Sequence, residues 1–564
     1  MRARGDCAHL LDISVSIIAV LFRSNSMSAI SVSDSRVVVV GAGAAGLMTA
    51  LQLWLRGEPC AVIDKRDGPW SATRAITLHS STREDLEAIG LADSLSAAGL
   101  PSYSMDYHFK GANRGSGSPR LVFTRLRHTK YREVLNISQE VTERILRQRL
   151  EALGCEILWG TELRHLTCDD GGRIAATLGR RGDAVEVIRP EFVVGCDGAR
   201  STVRRQLGIE FVGAAYDNDL RMMDTVLWGL PLPRDRLHYL ICDQRLVFLA
   251  ALPGDPQVPL FRVIVGERGS DGHRAETTHA LFQAAFDVHF NGAVIVGEPK
   301  SAVSDFRLGQ HIATRYSNDS GNIILCGDAA HTQTIAGGMG LNLALQDAIN
   351  LAPKLALVVK GLADPSLLRL YETERRQAAI QAGEVAGRVH GVIMDPRTPL
   401  EQRAAAAAAL NDEAVGMISG HRLNYRGVLE QAAGLTVLEG LTAGERAPNV
   451  AITREQRVHD QIGHYYTLLG VQDEPESGAA WTKLAREVHE RFGERVRFTL
   501  VTPPGVRSGA AVASIMAETR EFHSVYGAGD RNALCLVRSD RYVDMRCLQD
   551  EQDALLNKLG AVLT

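Results

Sequence analysis

Apolar and polar positions along the chain separate strands from helices. Val37-Val38-Val39-Val40 is an unbroken β-branched run, the mark of a strand covered on both faces, and it ends in Gly41-Ala42-Gly43-Ala44-Ala45-Gly46. Leu47 to Leu55 is helix-like, and Cys60-Ala61-Val62-Ile63-Asp64 is a second strand. Further helices are predicted around Thr82 to Ile89 and over Val141 to Leu153, where Ile145, Leu146, Leu150 and Leu153 share one face. Gly111 to Pro119 reads as a loop. Strand-like alternation runs from Ile157 to Val194. Short β-like runs at Met222 to Trp228, Leu237 to Cys242, Leu246 to Leu252 and Leu260 to Val265, broken by proline-containing turns, predict a mostly antiparallel sheet. Long helices follow over Leu341 to Val359 and Pro365 to Val389, with Glu374, Arg375 and Arg376 expected on a solvated face. An alanine-rich helix over Arg403 to Leu410 comes next. After a shift in composition near Ala443 to Pro448, strand and helix alternate to the end, a small α/β unit of about 120 residues by domain-size norms.

Three segments carry chemistry. A strand ending in G-x-G-x-x-G lets the backbone turn tightly and approach a pyrophosphate, whose charge the next helix N-terminus stabilises. Asp64, about 20 residues on, is placed to accept from a ribose hydroxyl pair, which selects FAD or NAD over a phosphorylated ribose. The second segment is Phe192-Val193-Val194-Gly195-Cys196-Asp197-Gly198-Ala199-Arg200-Ser201. The third is Ile323-Ile324-Leu325-Cys326-Gly327-Asp328-Ala329-Ala330-His331, continuing through Gly337-Gly338-Met339-Gly340-Leu341-Asn342. A helix opening near Leu341 can stabilise negative charge on a reduced isoalloxazine through its unsatisfied N–H groups.

At 564 residues the chain exceeds one ordinary core. A formal charge of -4 provides no field for nucleic acid or an anionic membrane. The nine cysteines are scattered, with no C-x-x-C pair, which fits a reduced cytoplasm and neither a disulfide framework nor a zinc site; no metal is expected. Ile13 to Phe22, after Arg2 and Arg4, resembles a signal peptide but lacks a small-x-small cleavage site and is too short to span a bilayer. Translation starting at Met27, with the residues before it an over-extended frame or a disordered tail, is the preferred reading.

Together these segments resemble the p-hydroxybenzoate hydroxylase class of single-component flavoprotein monooxygenases, and more closely its phenol and pentachlorophenol monooxygenase branch. The likeness covers roughly Arg36 to Val389 and weakens toward the end. It implies an α/β protein: a Rossmann-type FAD-binding domain interleaved with an antiparallel-sheet substrate domain, then a C-terminal thioredoxin-like α/β domain. The corresponding divisions are an extension over 1–34, the FAD-binding domain over 35–215 and 306–395, the substrate sheet over 216–305, a helical linker over 396–440 and the thioredoxin-like domain over 441–564. That last domain lacks C-x-x-C, which argues against disulfide exchange. By resemblance FAD is held by Gly41, Gly43, Ala44, Ala45, Gly46, Asp64, Lys65, Arg74, Gln139, Gly327, Asp328, Gly338, Gly340, Leu341 and Asn342. Asp197 and Arg200 lie near the pyrophosphate and the nicotinamide docking surface. One departure is Ile335, which stands where the family has proline, in a loop passing the flavin edge.

The resemblance further implies that NADPH or NADH docks transiently and reduces FAD, and that the reduced flavin captures O2 as a C4a-hydroperoxide that attacks an electron-rich ring. Tyr216, Arg221, His238 and Tyr239 are candidates for handling the phenolic proton, although a structural role is the preferred reading for each, as for His331. The expected partners are a small phenolic substrate and O2, with no nucleic acid or membrane, and a homodimer through the C-terminal domain. Competing readings are a flavin-dependent oxidase or dehydrogenase, a hydroxylase of a polyketide-type aromatic, and a flavin-binding protein without activity.

Overall fold

The computed structural model describes residues 31–70, 75–110, 118–180, 184–243, 245–255, 257–268, 278–395, 397–429, 434–473 and 478–563. Arg74 and nearly all of the N-terminal extension lie outside them.

The β-branched run becomes the central strand of a five-stranded parallel sheet, in the order 323–325, 192–195, 37–40, 61–64 and 157–159. Strands Val37–Val40, Ala61–Asp64 and Ile323–Leu325 are buried throughout, as an all-parallel sheet requires. The second motif strand therefore lies beside the first and the third beside the second, and the three motif turns leave the same end of one sheet. Helix Ala44–Trp54 packs against helix Gly340–Val359, both buried along their length apart from Gly340.

The second layer is a nine-stranded sheet, antiparallel except where Leu237–Ile241 runs parallel to Ser104–Phe109. It reaches beyond the expected span 216–305. Strands Ser104–Phe109 and Arg120–Val122 join one edge, Ser304–Ala313 and His331–Thr332 the other, and the expected run from Met222 is the end of an 18-residue strand, Phe211–Trp228. Sequence alternation does not reveal which distant strands pair, since register depends on the partner.

The C-terminal part is a five-stranded sheet in the order 514–516, 496–502, 466–471, 533–538 and 543–548, with helices Gly478–Phe492 and Gln552–Val562. Among the described residues no helix is long and apolar enough to cross a membrane.

One expectation fails in this framework. Glu374 and Arg375, on helix Leu367–Met394, do not face solvent: they are 0% and 1% exposed. The helix is flanked by helix Gly340–Val359 and the C-terminal part, and its charges are met from both. Glu374 accepts from Lys354 Nζ at 3.0 Å and from Arg538 Nη2 at 3.0 Å, while Asn350 bridges Glu374 and Asp540 at 2.8 and 2.7 Å. Arg375 Nε donates to Asp347 Oδ1 at 2.7 Å and its Nη1 to the Tyr425 hydroxyl at 3.0 Å. A second buried group joins Glu84 and Asp85 to Arg446, with Arg541 3.2 Å from Asp85 and Asn449 2.9 Å from Glu84.

Candidate active site

A cavity of about 870 Å³ lies where the parallel sheet meets the large antiparallel sheet. One set of walls is polar and glycine-rich: Gly41, Gly43, Ala44, Ala45, Asp64, Lys65, Gln139, Asp197, Asp328, Gly338, Gly340 and Leu341, all singled out from the sequence as candidates, line it. The other set is apolar and comes from the sheet: Met105, Leu237, Tyr239, Phe248, Ile264, Phe306 and Leu308.

The remaining expected cofactor residues stand just behind this surface or away from it. Gly46 packs on the preceding turn, where a Cβ would fall 1.8 Å from the Gly41 carbonyl oxygen, so its role is to let helix and strand approach. Gly327 donates its N–H to Asp347 Oδ2 at 3.1 Å. Asn342 is a clamp: its Oδ1 accepts from the His79 N–H at 2.8 Å, and its Nδ2 donates to the carbonyls of Thr77 and Gly338 at 3.0 Å each. Arg200 is exposed and does not line the cavity.

The polar walls are held by pairings that sequence spacing did not reveal. Asp64 accepts from the Ala42 N–H at 2.7 Å and from Arg66 at 2.9 and 2.7 Å. Burial opposes its ionisation, yet the hydrogen bonds from Arg66 and Ala42 outweigh that and hold its pKa below the ordinary carboxylate value. Glu143 also lines the cavity, and its Oε1 accepts from the Ala44 N–H at 3.1 Å. It lies four residues beyond Gln139 on helix Gln139–Glu151, hence on the same face, a spacing that could have drawn attention to it.

The loop over Ile335–Gly340 closes the floor. Gly338 has φ +64, and a Cβ there would meet Thr77 Oγ1 at 2.4 Å, so only glycine fits. His79 Nε2 donates to the Gly337 carbonyl at 2.8 Å, and burial lowers the His79 pKa to about 4, leaving a neutral ring as donor. Ile335 adopts φ -69, within the range proline imposes, and its carbonyl accepts from the Gly338 N–H at 3.0 Å. The backbone thus keeps the shape a proline would give.

Behind the loop, Asp347 gathers three groups: the Gly327 N–H, His331 Nε2 at 2.6 Å and Arg375. His331 is 1% exposed and outside the cavity, a structural placement.

Of the four residues singled out for proton handling, the structure brings only Tyr239 into the cavity wall. Its ring stacks on Tyr107, with centroids 5.3 Å apart and planes at 8°, and meets Phe248 at 5.0 Å. Burial pushes its pKa upward, against a lowering influence from the Gly337 backbone N–H, so the hydroxyl stays protonated and keeps a proton to donate. The neighbouring His238 points through the opposite face of the same strand, as alternation dictates. There its Nδ1 lies 3.1 Å from His108 Nε2 and its Nε2 2.9 Å from the Pro233 carbonyl. Tyr216 donates to Gln310 at 3.3 Å and packs on His390 with centroids 3.9 Å apart. Arg221 pairs with Asp305 at 2.6 Å.

Among the described residues one group, Asp106, His108 and His238, brings three metal-ligating side chains together. Arg120 at 2.8 Å and Arg236 at 3.2 Å already occupy the Asp106 carboxylate, and a divalent cation would face both guanidinium groups.

The glycine-rich walls, the buried acid at the end of the second strand and the helix start at Gly340 suit a flavin dinucleotide. Gly41, Gly43, Ala44 and Ala45 would hold its pyrophosphate, Asp64 its adenosine ribose, Asp328 the ribityl side, and Gly338, Gly340 and Leu341 the ring. Comparison with known proteins identifies the family and the same cofactor. Residues 34–386 match the FAD binding domain family. The chain is 31% identical over 539 residues to pentachlorophenol 4-monooxygenase of Sphingobium chlorophenolicum, covering 94% of this chain and 97% of that one. It is 38% identical over 344 residues to 6-methylpretetramide 4-monooxygenase of Streptomyces rimosus, covering 60% and 59%. The fold matches the crystal structure of the flavin-dependent monooxygenase PieE in complex with FAD and substrate, with TM-score 0.74, 22% identity, and 93% and 99% of the two chains covered. The chain is a member of the FAD-dependent aromatic monooxygenases.

Proposed function

We propose that this protein hydroxylates a phenolic aromatic compound with NADPH or NADH and O2. The observation that carries the reading is the cavity itself. One continuous space has a dinucleotide-binding wall on one side and, on the other, an apolar sheet face bearing a single buried phenolic hydroxyl, Tyr239. Bound FAD supplies the passage of electrons from the nicotinamide to O2 and the delivery of one oxygen atom to the ring. The chain's own groups do the rest. Met105, Leu237, Phe248, Ile264 and Phe306 enclose an aromatic ring and exclude water. Tyr239 donates to the substrate oxygen, favouring the phenolate that is the better nucleophile. Asp197 and the exposed Arg200 flank the surface where the nicotinamide would dock.

The relative acting on pentachlorophenol supports a single-ring phenol. A polyketide-type aromatic is the second reading, favoured by the relative named for 6-methylpretetramide. The C-terminal sheet is read as a thioredoxin-like scaffold without a redox pair, a cytoplasmic location follows from the need for NAD(P)H, and a homodimer remains the expected assembly. The deciding experiment supplies labelled O2 with NADPH or NADH and a panel of substituted phenols and polycyclic phenols. Label in the ring of a product is expected. If every substrate that speeds NAD(P)H oxidation yields only hydrogen peroxide, the protein is an oxidase instead. In the Tyr239→Phe variant, product should fall relative to peroxide by about 10-fold or more, the scale of a lost hydrogen bond to a charged oxygen.

A further inference from the structure

The helix Ala44–Trp54 starts with no side-chain cap of its own: Gly43 stands at the N-cap, and its first turn contains no acid. Its leading N–H is met from another helix, where Glu143 Oε1 accepts from Ala44 and also from Gln139 Nε2 at 2.7 Å. Glu143 is only 8% exposed and forms part of the cavity wall. The other charges that face it are Arg66 and Asp64, at the end of strand Ala61–Asp64, and these are already paired with each other at 2.7 Å. A pyrophosphate seeks this same place, the first-turn N–H groups and the positive end of the helix dipole. An ionised carboxylate and a diphosphate at one helix terminus repel, strongly so away from water.

We propose that Glu143 gates cofactor loading through one proton. Ionised, its carboxylate caps the Ala44 N–H and opposes the pyrophosphate. When FAD binds, the carboxylate takes a proton from solvent, the negative charge is removed, and a neutral acid with one O–H donor is left beside the cofactor. No bond other than this O–H forms, and no electrons move. Burial pushes the Glu143 pKa upward, against the lowering influence of Gln139, Arg66 and the Ala44 N–H. A neighbouring diphosphate raises it further. Affinity for FAD is then constant below the pKa of the free protein and falls by up to about tenfold per pH unit between the free and bound values. Above the bound value it levels off. The inference rests on FAD occupying this cavity.

The test uses full-length apoprotein freed of flavin, titrated with FAD from pH 5.5 to 9 by quenching of flavin fluorescence, together with Glu143→Gln. Circular dichroism of the apo variant checks its fold. The wild-type Kd should rise tenfold or more across the range, whereas Glu143→Gln should bind with a flat Kd close to the wild-type value at low pH. In weakly buffered solution with a pH indicator, the wild type should take up close to one proton per FAD and the variant none. The proposal is overturned if the wild type takes up no proton, a measurement that stands even if the variant does not fold. It is equally overturned if Glu143→Gln keeps the wild-type pH slope, which places the proton elsewhere, or binds more weakly at every pH, which makes Glu143 an ordinary anionic ligand. Failure of both proteins to bind FAD at any pH would instead remove the cofactor assignment on which the inference stands.

Discussion

Asp347 shows how much one residue can hold. It lies outside the cavity, yet it fixes the Gly327 N–H at the turn carrying Asp328 and neutralises Arg375. Burial works against its charge, but His331 and Arg375 hold its pKa below the ordinary value. Asp347→Ala leaves a fully buried guanidinium unpaired, a loss of about 3 to 5 kcal/mol. The purified variant should unfold at lower urea and show a reduced flavin-to-protein absorbance ratio; full flavin content would remove Asp347 from the positioning of that turn. Ile335 leads to an opposite expectation. With φ already at -69, Ile335→Pro should retain the fold and gain about 0.4 to 1 kcal/mol by restricting the unfolded chain, measured by thermal unfolding. A drop in stability would mean that the loop relies on a backbone shape proline forbids. At this scale the sequence was informative about which motif residues line the cavity, since glycines and acids at motif turns act through the backbone near them. It gave no role to Glu143 or Asp347, whose partners Ala44, Gly327 and Arg375 lie 20 to 99 residues away, and did not pair Arg66 with Asp64 two residues before it. It also could not rank Tyr216, Arg221, His238 and Tyr239, because which face of a strand looks into a cavity depends on the layer packed against it.

Among elements, the parallel sheet and its two long helices were legible because each strand is continuous and apolar and each helix has its own period. The reach of the large sheet was not, since Ser104–Phe109 pairs in parallel with a strand more than a hundred residues later. The charged stretch of helix Leu367–Met394 misled for a related reason: polar residues suggest solvent unless a third layer supplies counter-charges. That layer has a testable consequence. Removal of residues 441–564 strips Glu374 of Arg538, and Glu84 and Asp85 of Arg446 and Arg541. The truncated chain should be insoluble or without cooperative unfolding by circular dichroism. A folded, yellow truncation product would show instead that the C-terminal part is a separable attachment.

For the whole molecule, buried histidines set the response to acid. Burial lowers the pKa of His79, His390, His421 and His523 to about 4 each, from an ordinary value near 6.5. Below pH 6.5 the unfolded chain therefore binds more protons than the folded one, and stability must fall as the pH drops from 6.5 toward 4. Glu374, whose pKa is held low by Arg538 and Lys354 despite burial, adds a loss that begins near its ordinary value and continues below it. Urea midpoints measured at intervals from pH 7.5 to 4 should decline steadily, and a flat profile down to pH 5 would mean that these rings open to solvent at little cost.

The pairing of Glu84 and Asp85 with residues near 446 and 541 also governs how the protein is made. Synthesis runs from the N-terminus, so these two acids leave the ribosome some 360 residues before Arg446, the first of the cations that neutralise them. The cavity itself spans residues from Val40 to Ala344. A nascent chain can thus complete its flavin-lining walls only when Ala344 has been made and close its interior only after Arg446 and Arg541 follow, and until then it depends on being shielded from its neighbours. Expression at low temperature or with added chaperone should raise the yield of yellow protein more than added riboflavin does.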